Sequence, residues 1–252
     1  MRLFALCCAA SVLAGCSSSP RKQKEPAKAA AAPSYFKVDP ATAGVLTGTV
    51  RFTGRKPPRK RIDMSGDPAC VEAHHGPAYE ESLETNARGD LANVFVYIKT
   101  GLEGKEFELP ATPVTIDQQG CTFHPRVLGV QAGQTLHISN SDPVTHSIHP
   151  LAEINREWNH SQGAGDPPID RRFPRPEVMI RVKCNIHSWM RAFIGVVAHP
   201  CFAVTGADGT YQIRNVPPGE YTLEAWQETL GTQEQKITVT PSGTVRTDFT
   251  FK

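Results

Sequence analysis

Within seven residues, Cys184-Asn-Ile-His187-Ser-Trp-Met190, the chain places a thiol, an imidazole and a thioether. A thiolate with imidazole nitrogens and a weak axial thioether is the donor set of mononuclear copper sites that pass single electrons. Zinc accepts thiolate and imidazole, but a thioether is foreign to its usual ligand set. A binuclear copper centre would need a second cysteine in the loop, and the loop has none. The spacing is workable. Val178, Ile180, Val182 and Cys184 share one face of an alternating segment, while Arg181 and Lys183 take the other. Cys184 therefore ends a strand on its inward face, the next six residues can loop back towards one ion, and residues 192–197 form the returning strand.

Such a site needs a second imidazole. The segment from Gln134 to His149 supplies it: a strand with Leu136 and Ile138 inward, the polar turn Asn140-Ser-Asp142-Pro143, and then His146 and His149. Three residues apart on extended chain, those two histidines face opposite sides, so one of them joins the ion. We favour His146. A turn between them would let His149 line the site or hold a second, weaker ion. Asp142 precedes Pro143 and reads as a turn former. His74-His75 falls in a polar loop. His124 sits between Phe123 and Pro125 as a packing residue, and His137 points away from the Leu136/Ile138 face. His160 lies in a Gly/Pro-rich loop able to cover the site, and His199-Pro200 marks a domain junction.

The elements that must carry these residues are strands. In 252 residues there are 21 prolines and 20 glycines, with moderate charge and a net +2. Short alternating runs recur between Ala-Asp-Gly, Pro-Pro-Gly and Ser-Gly turns, the pattern of β-sandwiches or barrels. Residues 94–98 are apolar on both faces, so that strand is covered on both sides. Helix is confined to a turn or two near 80–87 and 151–158. No basic aromatic stripe is present, which argues against nucleic acid as a partner.

At the start, Arg2 precedes a short apolar stretch, residues 3–13, too short to span a bilayer and suited to a secretory signal. Leu13-Ala-Gly-Cys16 resembles a bacterial lipobox. The resemblance implies a signal peptide over 1–15, an acylated Cys16 and a flexible tether over 16–40; acyl burial contributes about 0.8 kcal/mol per methylene to membrane association. Ser17 after the lipid cysteine resembles outer-membrane sorting, hence an envelope location facing the periplasm. Of seven cysteines, Cys7 and Cys8 leave with the signal. Cys70, Cys121, Cys184 and Cys201 then remain in an oxidising compartment, with three complete pairings open to them. With Cys184 as a metal ligand, the candidate disulfide is Cys70–Cys121, and Cys201 is left as a buried free thiol.

Residues 205–213 and 215–223 resemble the carboxypeptidase regulatory-like module, a small transthyretin-like β-sandwich whose first strand reads like residues 44–52. We therefore expect a discontinuous module of 44–60 and 201–252, with a copper domain of 61–200 inserted; two sequential domains are the simpler alternative. The histidine after a strand and turn, followed by Cys…His…Met, resembles the cupredoxins, with loop spacing similar to amicyanin. The whole chain looks like bacterial lipoproteins that join a plastocyanin-like domain to a regulatory-like module. The resemblance implies an all-β Greek-key sandwich and one type 1 copper held by His146, Cys184 and His187, with Met190 axial. It also implies a Ser147 N–H bond to the Cys184 sulfur. Where many relatives carry Asn, Ser147 would leave the loop less braced. His187 would reach the surface in an apolar patch with Trp189, Pro150 and Ile148 as candidate residues, where electrons enter or leave; equally, Trp189 would be a buried aromatic that plugs the loop.

The expected function is a membrane-tethered electron carrier with an unidentified redox partner protein and no catalytic constellation: no nucleophile elbow, no His-Glu-x-x-His, no phosphate-binding glycine loop. Copper delivery without redox turnover, and a structural or carbohydrate-binding sandwich, are the other classes.

Overall fold

The computed structural model describes residues 34–252. The expected signal peptide, the lipidation site Cys16 and the tether as far as residue 33 lie outside the described residues. From Phe36 the expected tether is docked. Its N–H donates to the Glu106 carbonyl at 2.6 Å, its ring meets Phe107 edge-on at 5.5 Å, and Val38 packs on the same core. Two apolar side chains in a polar run suffice to pin it.

Two β-sandwiches make up the described chain. In the first, β1 (Gly44–Phe52) pairs antiparallel with β13 (Thr210–Val216) and in parallel with β16 (Thr244–Arg246) and β17 (Phe249–Phe251). The facing sheet runs β12 (Phe202–Val204), β2 (Phe95–Thr100), β14 (Gly219–Gln227), β15 (Gly231–Val239). Alternating residues such as Leu46, Val50, Ile213, Leu223 and Phe251 fill the space between. Strand β2 moves the expected boundary at residue 61. It pairs with β12 and β14 of this sandwich, because Val94, Val96 and Ile98 enter this core while Phe95 and Tyr97 face the other sandwich.

The second sandwich spans β3 to β11. One sheet is β5 (Val127–Gln131), β11 (Arg191–Val197), β10 (Glu177–Lys183), β7 (His146–Leu151), β8 (His160–Gln162). The other is β4 (Thr122–His124), β3 (Val114–Gln119), β6 (Leu136–Asn140), β9 (Ile169–Arg171). It leaves the first sandwich after β2 and returns at β12. Where the two sandwiches meet, Gly129 and Gly195 are register partners on β5 and β11. A Cβ on Gly195 would come within 2.6 Å of the Phe95 ring, and one on Gly129 within 2.4 Å of Phe202. The glycine pair is thus a flat seat for two rings.

A segment of about twenty residues, 61–80, crosses the end of the second sandwich. Its short helix α1 (Pro68–Ala73) is the one helix among the described residues. Asp67 caps it, accepting from Ala69 and Cys70 N–H, with Pro68 in the first turn. The helical turns expected at 80–87 and 151–158 are absent; the Asp-Pro start signal at 67–68 marks the real one. The crossing segment rests on Met64, Cys70, Ala78 and Cys121.

Candidate metal centre

Strand β10 delivers Cys184 at its inward end, as the alternation requires, and β7 opens with His146. The loop 184–190 folds back on itself: Cys184 N–H donates to the Met190 carbonyl at 3.3 Å and Met190 N–H to the His187 carbonyl at 3.1 Å. This brings His187 Nδ1 to 2.9 Å from His146 Nδ1 and 3.9 Å from Cys184 Sγ. Ligand atoms of His146, Cys184 and His187 all lie within 4.8 Å of one another. With metal–nitrogen near 2 Å and metal–sulfur near 2.3 Å, neighbouring donors around one ion stand about 3.3–3.8 Å apart; the 2.9 and 3.9 Å separations lie within a few tenths of an ångström of that range, which small ring shifts cover. Met190 is buried in the same core cluster as Cys184. The soft thiolate, two imidazoles and thioether fit copper as a donor set.

The sulfur sits in a nest of donors. Backbone N–H groups of Ser147, Ile186 and His187 each point at it from 3.3 Å. The Ser147 hydroxyl lies 3.7 Å away and also accepts the Asn185 N–H at 2.7 Å. Ser147 therefore braces the loop through its hydroxyl, contrary to the expected loss of bracing. Burial disfavours the thiolate, but His146 and those N–H groups outweigh it and bring the Cys184 thiol down to about 6. His146 answers in the other direction. Burial opposes its charge, yet Cys184 and Asp142 raise its pKa.

Both imidazoles carry a carboxylate on their far nitrogen, a pairing that orients metal-bound histidines and fixes their tautomer. His146 Nε2 donates to Asp142 Oδ2 at 2.7 Å. The same carboxylate accepts the N–H groups of Gly120 and Cys121, both at 2.7 Å. His187 Nε2 donates to Asp67 Oδ2 at 3.0 Å, while the other Asp67 oxygen caps α1. Neither role was read from the sequence. Asp142 is more than a turn former, and its position four residues before His146 was an available signal. Asp67 had no local signal; only the Cys70–Cys121 disulfide, which the structure contains, ties its helix to the site.

The exposed patch expected around His187 is absent. The crossing segment leaves His187 3 % exposed, Ile148 points into the core of the second sandwich and is fully buried, and Pro150 is buried too. Trp189 plugs the loop: it lies against His187 at 5.1 Å and donates Nε1–H to the Cys121 carbonyl at 3.0 Å. Ile186 is the exposed apolar residue of the loop. His149 stays outside, bonded to Asn185 and Glu157. His74 bonds the Gly120 carbonyl and His124 the Thr122 hydroxyl. His137 pairs with Asp170, and His160 stands on β8 opposite Ile148. Buried His199 meets the Ile98 carbonyl at the junction.

Residues 199–252 match the carboxypeptidase regulatory-like domain. No curated protein matches the chain. Among solved structures, a Cu-containing nitrite reductase from Thermus scotoductus is 22 % identical over 38 % of this chain and 24 % of its own, TM-score 0.32. This chain thus spans about a quarter of that reductase. A purple cupredoxin from Nitrosopumilus maritimus is 19 % identical over 33 % of this chain and 98 % of its own, TM-score 0.29. A Cu(I) amicyanin mutant is 17 % identical over 35 % and 86 %, TM-score 0.30. Besides Phe202 on Gly129, the regulatory-like domain meets the second sandwich through Trp226 and Glu228. Its Trp226 lies 5.0 Å from Phe193, and its Glu228 takes buried Arg126 in a two-pronged pair at 2.6 and 2.9 Å.

Proposed function

We propose that this protein is an exported, lipid-anchored carrier of single electrons, in which His146, Cys184, His187 and Met190 would hold one copper. The observation that carries the reading is the Cys184 sulfur: buried, ionised near neutral pH and fixed by three backbone donors beside two oriented imidazoles. Bound there, copper would supply a one-electron couple, and a rigid sandwich keeps the ligand rearrangement between its two states small. Asp142 and Asp67 hold the imidazoles, Trp189 excludes water, and the nest of N–H groups stabilises the thiolate. Cys16 would tether the protein to the envelope, with its sorting signal favouring the outer membrane and the periplasmic side. The partner is another redox protein, and the reading assigns no catalytic step.

Burial of His187 favours a second reading. A ligand sealed from solvent suits a protein that holds copper for delivery as well as one that passes electrons. Titration of the apo protein with Cu(II), followed by visible absorption and EPR, tests the first. We expect an intense thiolate-to-copper band that Cys184→Ser removes; copper uptake without that band, or only as Cu(I), supports delivery, and no uptake at all defeats both.

A further inference from the structure

Just before the crossing segment, residues 55–61 read Arg-Lys-Pro-Pro-Arg-Lys-Arg: five cations and no carboxylate, all seven residues exposed. Pro57 and Pro58 keep this run out of helix and hold the chain before them extended. It is a strap fastened at both ends. Thr53 N–H donates to the Phe251 carbonyl at 2.9 Å, and beyond the prolines Glu80 N–H donates to the Lys60 carbonyl at 2.9 Å and Ile62 N–H to the Ala78 carbonyl at 3.0 Å. Between the ends, Lys56 Nζ donates to the Thr85 carbonyl at 2.8 Å, and Arg59 lies over the Tyr79 ring at 4.6 Å. The charge is barely answered from within. Residues 62–84 bring six carboxylates and no Lys or Arg, yet among the described residues only Glu84 pairs with the strap, 3.7 Å from Arg59. Asp67 holds His187, Glu81 faces Arg126 and Asp63 accepts the Ser65 N–H. Arg55, Lys60 and Arg61 have no ion-pair partner among the described residues.

The strap lies at the metal end of the molecule. It runs straight into the segment that covers His187, and six residues, at most about 20 Å of chain, separate Arg61 from Asp67. The described chain enters at the other end. Strand β11 starts directly after Met190, and its Phe193 pairs with Val127 at the start of β5. At the far end of β5, Gln131 Nε2 donates to the Phe107 carbonyl at 3.2 Å, and Phe36 packs on Phe107.

We propose that residues 55–61 are the docking surface for a partner protein with a carboxylate-rich face. Arg55, Lys60 and Arg61 offer that face charge-assisted hydrogen bonds, the arginines as two-pronged forks. A strap already pinned at both ends loses little freedom when it is covered. Complementary charge speeds encounter and orients it, so the partner arrives at the metal end. Because the chain enters the fold at the opposite end, the strap faces a free-standing partner better than a membrane surface. The inference stands on the strap and is independent of whether the neighbouring centre takes copper.

The test uses full-length chain without metal, with poly-L-glutamate as the probe, titrated calorimetrically in about 0.1 M salt, where the Debye length is about 10 Å. Arg55→Gln with Lys60→Gln and Arg61→Gln should weaken binding about tenfold, the sum of three exposed ion pairs. A charge-matched control at exposed sites elsewhere, Arg181→Gln with Arg214→Gln and Lys236→Gln, should leave binding nearly unchanged. Arg21, Lys22, Lys24 and Lys28 are kept in every variant, so their attraction cancels in the comparison. Vesicles of phosphatidylglycerol in phosphatidylcholine are the second probe, and the strap variant should bind them nearly as the parent does. The proposal is overturned if the parent binds no polyglutamate, or if the control loses as much as the strap variant. It is overturned in favour of a lipid surface if the strap substitutions weaken vesicle binding as much as polyglutamate binding.

Discussion

Cys184 and Cys201 are equally buried, at 3 % and 1 % exposure, and are chemically opposite. Around Cys201 burial acts unopposed and pushes the thiol up to about 12. Around Cys184 burial acts too, yet an imidazole and three N–H groups hold the thiol at about 6. Burial silences a thiol; aimed donors override the same burial and hold the sulfur ready to ionise near neutral pH.

Exchanging the partners of that comparison should give all-or-none results. Cys184→Ser should erase the copper–thiolate band, and Cys201→Ser should leave it untouched, read by absorption on copper-loaded protein. Next in size is pH. Metal and proton compete for both His146 and the sulfur, so copper affinity, from chelator competition, should begin to fall as pH drops through the raised value of His146 and fall more steeply below about pH 6, where Cys184 protonates. An ordinary thiol at 9.0 would already have lost about a thousandfold by then. Since the folded value lies below the ordinary one, Cys184 also contributes apo-protein stability that is complete above pH 9 and lost as pH falls through about 6. His146, raised, contributes in the opposite sense: its share is present below 6.5 and lost as pH climbs through its folded value. The thermal unfolding temperature of the apo protein should therefore rise above about pH 6, flatten where the two contributions oppose each other, and rise again towards pH 9.

Loss of a carboxylate that orients a ligand is the third size of effect. Asp67→Asn should weaken copper binding about 10- to 100-fold, measured by the same competition, with the thiolate band retained. Cys201→Ser should cost about 1–3 kcal/mol of stability by burying a hydroxyl in an apolar core, seen in denaturant melts. Ser147→Ala, which spares the backbone donor, should cost about 1 kcal/mol.

What could be read from the sequence follows from distance along the chain. The loop Cys184–Met190 was legible because thiol, imidazole and thioether are neighbours and the strand's alternation sets their direction. The covering of residues 94–98 on both faces was legible for the same reason. Asp67 was not: its carboxylate reaches His187 across 120 residues, and nothing near Asp67 names that partner. The sealing of His187 was hidden likewise, since the segment 61–80 is polar and looks like an ordinary loop until the Cys70–Cys121 bond pins it. The boundary near residue 61 failed because β2 is apolar on both faces, and such a strand does not say which of two cores owns it.

The way the second sandwich leaves after β2 and returns at β12 bears on biosynthesis. Those two strands are antiparallel neighbours, with Phe202 opposite Tyr97, so the excursion starts and ends at one hairpin mouth. A compact insert with adjoining ends can fold while the rest of the chain is still emerging. The outer sandwich cannot. Its first strand waits for Thr210, Thr244 and Phe249, long-range pairings of the kind that slow folding. The second sandwich is thus poised to finish first and to serve as the template on which the host closes.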